Sequence, residues 1–144
     1  MTRLMIERPH RGYIASRPIQ GSRVGQHIQN LVVRDYAVRT GLTYVLSATE
    51  YSMFGCYMML EQLVQELDRL GGIIAYSLFM LPQRQERRLA LFDRILDAGA
   101  SLHTAVEGLV LDRRSGIGQI EDIILLEQAT CRQPVPDFRS NEGR

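Results

Sequence analysis

Four short apolar runs, each emptying into a polar loop and then into a segment of helical period, constrain this chain more than any other feature. The runs are Tyr13 to Ala15, Leu42 to Leu46, Ile73 to Tyr76 and Ser101 to Val106. The periodic segments run from Ser22 to Thr40, Phe54 to Leu70, Arg84 to Ala98 and Gly116 to Ala129. Strand and helix thus alternate at spacings of about thirty residues, the length of one strand–helix–strand crossover. That alternation specifies a parallel sheet with right-handed connections and helices on its faces. The expectation is a single α/β domain over residues 11–130, doubly wound, with a mainly parallel sheet of four or slightly more strands. Residues 1–10 read as a flexible lead-in and 131–144, with Pro134 and Pro136, as a disordered tail.

The helices carry their own punctuation. Ser22 is a good N-cap for the first, whose apolar side is read as Ile28, Leu31, Val32 and Tyr36, and Gly41 is its stop. In the second, Cys56, Leu60, Leu63, Val64 and Leu67 form a stripe closed by Gly71-Gly72. The third buries Leu89, Phe92, Ile95 and Leu96 and ends at Gly99; the fourth buries Ile117, Ile120, Ile124 and Leu125. Arg84, Arg87 and Arg88 crowd the first turn of the third helix, which is unfavourable unless an anion or a carboxylate answers them.

Composition excludes several chemistries. Of 144 residues 45% are hydrophobic and 23% charged, enough for one ordinary core, and the net charge of +1 lacks the basic excess of a DNA-holding protein. Nucleic acid is therefore not expected as a partner. All 17 basic residues are arginine, which removes Schiff-base and phosphate-loop lysines. Cys56 and Cys131 lie far apart without metal-ligand spacing and read as reduced thiols. The first ten residues lack the apolar run of a signal peptide, and no stretch approaches the ~20 apolar residues of a membrane span. A cytoplasmic location with no membrane partner is the expectation.

In a parallel sheet, ligands bind in the crevice beyond the carboxyl ends of the strands. The residues read there are Ser16, Arg17, Glu50, Tyr76, Ser77 and Glu107, joined by Ser22, Arg23, Gln26 and His27 from the first turn of the first helix. Glu50, Glu107 and His27 are the candidate acids and bases. Ser16, Arg17, Ser22, Arg23, Gln26, Tyr76 and Ser77 are the candidate anion- and substrate-binding groups. Ser16 or Ser22 as a nucleophile is a further possibility, although neither sits in a Gly-x-Ser-x-Gly elbow. His103 alternates with apolar neighbours and reads as a hydrogen-bonded core histidine. No spacing demands a metal site from His27, His103, Glu50 and Glu107, so neither metal nor cofactor is expected. Met53, Met58, Met59 and Tyr57 read as packing or as the interface of a homo-oligomer.

Two resemblances bear on these residues. The order Tyr13-Ile14-Ala15-Ser16-Arg17, Gln26 and Gln29, Leu60 to Gly72, and His103 to Glu107 resembles the catalytic domain of serine recombinases of the resolvase and invertase type. It implies a resolvase-like or flavodoxin-like sheet. That family has an Arg two positions before its nucleophilic Ser, where this chain has Ser16-Arg17. It also has an Asp-Arg-Leu-x-x-Arg motif after the third strand, where this chain has Tyr76 to Pro82. Arg11 to Pro18, Gln26 to Asn30, Leu46 to Tyr51, Gly72 to Phe79 and Leu102 to Glu107 resemble uncharacterised proteins of sporadic bacterial carbohydrate-biosynthesis clusters. That likeness implies a sugar pathway. The expected function is a cofactor-independent acid/base enzyme, of isomerase, epimerase or lyase type, acting on a sugar phosphate or nucleotide sugar. The alternatives are a non-catalytic scaffold of such a pathway and a degenerate recombinase-like domain with phosphoryl-transfer chemistry.

Overall fold

The computed structural model describes residues 8–53 and 55–131. It contains β1 (His10–Ala15), α1 (Gln26–Thr40), β2 (Tyr44–Glu50), α2 (Met58–Gln65), β3 (Gly72–Ala75), α3 (Gln85–Asp97), β4 (Ser101–Thr104), β5 (Leu109–Leu111) and α4 (Ile117–Cys131). The sheet order is β2-β1-β3-β4-β5, with the first four strands parallel and β5 antiparallel to β4. The chain is the expected α/β domain with a mostly parallel sheet. The disordered tail assigned to 131–144 lies, but for Cys131, outside the described residues, as do residues 1–7 of the lead-in. No helix among the described residues is long and apolar enough to cross a membrane.

β3 is buried at all four positions, as expected of a strand covered on both faces. On one face α2, α3 and α4 bury Leu60, Leu63, Phe92, Ile95, Ile120 and Ile124 against Tyr13, Ile73 and Leu102. On the other, α1 alone packs Val33, Tyr36 and Ala37 over Ile14, Ile74 and Ala105. Pairing of β1 with β2 slips between Arg11 and Tyr13, where Gly12 lets Ser47 come close; a Cβ on Gly12 would lie 2.1 Å from Ser47 Oγ.

Several features differ from the pattern expected of the sequence, among them β2, which runs on to Glu50 instead of ending at Leu46. Ser22 is not the cap of α1: Ile19 and Ser22 exchange backbone hydrogen bonds around Gln20 and Gly21, whose φ values of 52° and 77° make a tight two-residue turn. The helix starts three residues later, after Gly25. The rotation of α1 is also displaced, because Gln29 and not Ile28 faces inward. Its Oε1 accepts from Ala15 N at 2.9 Å, and its Nε2 donates to Ala15 O and Val24 O, each at 2.8 Å. This fully buried amide continues β1's edge by one side chain, leaving Ile28 and Leu31 more than half exposed. Lastly, α2 is short; Cys56 precedes it, and Leu67 is buried from a separate 3-10 turn.

The third helix resolves its own conflict. Arg88 is buried and makes a two-pronged ion pair with Glu121 of α4, Nε and Nη2 each 2.6 Å from a carboxylate oxygen. Its Nη1 donates to Pro82 O and Gln83 O, both at 3.1 Å. A carboxylate thus answers this arginine, and one guanidinium ties α3, α4 and the β3–α3 loop together. Leu125, expected inside, is 59% exposed, because α4 turns Glu121 and Ile124 inward.

Candidate functional site at the strand ends

The sheet order changes direction between β1 and β3, so their following loops diverge and leave a crevice at the carboxyl edge. Ser16 is exposed directly beyond β1, and its Oγ donates to Glu50 O at 2.8 Å, while its own N–H donates to the same carbonyl at 3.2 Å. The hydroxyl is held at the end of the central strand pair rather than free to rotate.

Glu50 lies at the end of β2 and is fully buried. Its Oε1 accepts from Tyr13 Oη at 2.8 Å and from Leu60 N at 3.2 Å; its Oε2 accepts from Met59 N at 3.0 Å and Tyr51 N at 3.2 Å. The carboxylate therefore caps the first turn of α2 from outside the helix and pins it to β1. Burial, and then the hydrogen bond to Glu50, pushes the Tyr13 phenol far above its ordinary pKa, so it serves as a permanent donor. Glu107 follows β4 and is treated likewise: Oε2 accepts from Ser77 Oγ and Oε1 from Leu78 N, both at 2.8 Å. Ser77 in turn accepts from Phe79 N. The structure brings together Ser16 with Glu50 and Ser77 with Glu107. Ser22, Arg23, Gln26 and His27 are exposed around the start of α1. Tyr76 is half-buried and packs between the two core clusters.

Arg17 turns toward the β2–α2 loop. Its Nη1 donates to Cys56 O at 2.9 Å and Met53 O at 3.2 Å, and its guanidinium carbon sits 4.7 Å from the centre of the Tyr57 ring. Arg87, from the first turn of α3, lies 4.8 Å from the same ring. Its carboxylate contact, Glu61, is 4.0 Å away at an exposed site. Two guanidinium groups thus share one aromatic ring. The hollows beside them, of about 80 and about 190 Å3, share Gly55, Tyr57 and Gln83 and carry Arg17, Arg84 and Arg87 on their walls. Together they form a cationic trough along the carboxyl edge. Tyr57, Arg84 and Arg87 are absent from the site expected of the sequence; the crowding of arginines at the start of α3 is the one signal that pointed to them.

His103 sits apart from this edge. It is buried between Tyr36 Oη on Nδ1 and Ser101 Oγ on Nε2, each at 2.8 Å, with the His10 ring edge-on at 5.3 Å. Burial first and His10 second lower its pKa to about 4, against a smaller opposing pull from Asp112. It is a hydrogen-bonded core histidine. No group of His, Cys, Asp and Glu among the described residues is arranged to hold a metal.

No protein-family model matches the chain, and neither does any curated protein. Solved structures do match. The N-terminal catalytic domain of TP901-1 integrase superposes with a TM-score of 0.61 at 14% identity, over 84% of this chain and 96% of that one. A resolvase family site-specific recombinase from Streptococcus pneumoniae gives 0.61 at 13% identity, over 85% and 90%. These neighbours correct two expectations drawn from the sequence. The enzyme of sugar phosphates or nucleotide sugars, and the partner set of a sugar substrate without nucleic acid, are replaced by a kinship of fold with recombinases. The fold of this chain is that of serine recombinase and resolvase catalytic domains.

Proposed function

We propose that this chain is a recombinase-like domain that engages the phosphodiester backbone of DNA along the carboxyl edge of its sheet. The observation that carries this reading is the pair of guanidinium groups on the Tyr57 ring. Two like charges drawn to one ring, with Arg84 exposed beside them, repel each other and gain from a bridging anion. Phosphate esters meet that need, and bidentate guanidinium recognition suits them. The exposed, oriented Ser16 hydroxyl adjoins this trough and supports a second reading in which it attacks the phosphodiester. A phosphoserine bond would form as the bond from phosphorus to a deoxyribose oxygen breaks, and the proton lost by the serine would reach that leaving oxygen through solvent. Glu50 and Glu107 support the trough walls in this account rather than exchanging protons. Kinship with the carbohydrate-cluster proteins concerns gene setting and is supported only by the segments quoted above.

The test is fluorescence anisotropy of a labelled duplex across a salt series. Binding is expected at low salt and to weaken steeply as salt rises. Arg84→Ala and Arg87→Ala should each weaken it about threefold to tenfold and reduce the salt slope by about one. Absence of binding at low salt, or full affinity in both variants, overturns the reading. Nicking of supercoiled plasmid that disappears in Ser16→Ala would support the second reading, and nicking that persists in that variant would remove Ser16 from it.

A further inference from the structure

A pocket of about 300 Å3 lies beside the cationic trough, within the size range of small-ligand sites. Gln20, Phe79 and Gln83 line both the pocket and the adjoining hollow that holds Arg17, so the two lie side by side. Their chemistry is opposite. The floor of the pocket is apolar, with Leu78, Leu81 and Ile124 all buried, and Phe79 forms a half-buried wall. Its rim carries the exposed carboxamides of Gln20, Gln83 and Gln128. Gln20 stands there at a cost, since a φ of 52° disfavours any residue but glycine. Its Nε2 donates to Glu127 Oε1 at 2.9 Å, which fixes the tip of the tight turn against α4.

We propose that this pocket receives an unstacked nucleobase of the nucleic acid whose backbone lies in the trough; the inference rests on that proposed function. A base is flat, apolar on both faces and polar around its edge. The pocket offers an apolar floor and an aromatic wall for the faces, and amides that both donate and accept for the edge. Phosphate is better served by the trough, because Arg88 on the pocket wall is already held by both carboxylate oxygens of Glu121, whereas Arg17, Arg84 and Arg87 line the trough. The backbone then tracks the arginines while one base turns inward. Taking a base out of a duplex costs a few kcal/mol and is cheapest for single-stranded or mismatched sites. The chain should therefore prefer such sites.

The experiment compares four labelled probes by anisotropy: a short single strand, the same strand with abasic positions, a paired duplex and a duplex with one mismatch. Each is measured on the wild-type chain and on Gln128→Trp, which fills the pocket mouth at an exposed helix position away from the three arginines. The single strand and the mismatch are expected to bind more tightly than the paired duplex. Abasic substitution should lower affinity about fivefold to a hundredfold in the wild type and not in Gln128→Trp. Equal affinity for all four probes, with the salt slope retained, overturns the pocket and leaves the backbone reading standing. No binding of any probe at low salt overturns both. Should Gln128→Trp fail to fold, the abasic comparison on the wild-type chain decides alone.

Discussion

Replacing Glu50 by Ala is expected to destabilise the domain by about 3–5 kcal/mol, a fall in Tm of roughly 10–20 °C for a chain of this size. Five donors converge on this carboxylate: Tyr13 Oη, the N–H groups of Tyr51, Met59 and Leu60, and the Cys56 thiol at 4.0 Å. Tyr13 and Glu50 are both fully buried, so no water replaces the lost acceptor. Each stranded donor costs about 1–3 kcal/mol, and the first turn of α2 loses the group that complements its dipole. Glu50→Gln should fall between wild type and Ala, because an amide keeps the volume but presents an NH2 to backbone donors. Differential scanning calorimetry of the two variants measures this directly. A Tm shift below a few degrees in Glu50→Ala would show that the carboxylate is not the cap described here.

Arg88→Ala should cost about 3–5 kcal/mol, because it leaves Glu121 buried without its partner. The double variant Arg88→Met with Glu121→Leu should recover much of that loss, since a buried pair gains little over apolar groups that fill the same space. The pair also sets a pH dependence. Its hydrogen bonds to Arg88 lower the pKa of Glu121, so the unfolded chain binds its proton first as pH falls. The stability this contributes is fully present above the ordinary carboxylate value of 4.5 and is lost as pH drops through the depressed folded value. His103 acts in the same direction at higher pH: lowered from 6.5 to about 4, it disfavours folding progressively below 6.5. Urea midpoints from pH 7 downward, compared for wild type and the double variant, separate the two. The double variant should keep the loss that begins near pH 6.5 and lack the further loss below 4.5. Parallel curves in the acid limb would contradict the role of the pair.

The positions of β1, β3 and β4, the stripe of Leu60, Leu63 and Val64, and the helix stops at Gly41 and Gly99 are legible in the sequence because each depends on local period or backbone conformation, whereas β2 runs on from the expected Leu42 to Leu46 through the polar Ser47 to Glu50. The rotation of α1 is not. Three hydrogen bonds from Gln29 outweigh the exposure of Ile28 and Leu31, and no periodicity reports a side chain that mimics backbone. β5 is equally hidden, being three residues long with Val110 half exposed, and becoming a strand only by pairing with β4 across the turn at Gly108. Ser22 has the identity of a cap and the position of a turn, and Gly21 decides between them. Strand-end residues such as Ser16, Glu50, Ser77 and Glu107 can be read from their place after apolar runs. Their partners cannot, since the donors folded onto the Glu50 and Glu107 carboxylates come from α2 and from the loop after β3. The trough assembles Arg17 and Tyr57 from two loops and Arg87 from the first turn of α3, a proximity with no sequence signature.

The most direct measurement of the account is amide chemical-shift mapping of the isotopically labelled chain titrated with a short DNA at low salt. Shifts are expected to be confined to the carboxyl edge, at Ser16 to Ser22, Gly55 to Met58 and Ser77 to Arg88. Shifts centred on the outer face of α1, at Leu31 and Val38, or on the β2 edge at Val45 and Leu46, with the strand-end loops unmoved, would contradict it.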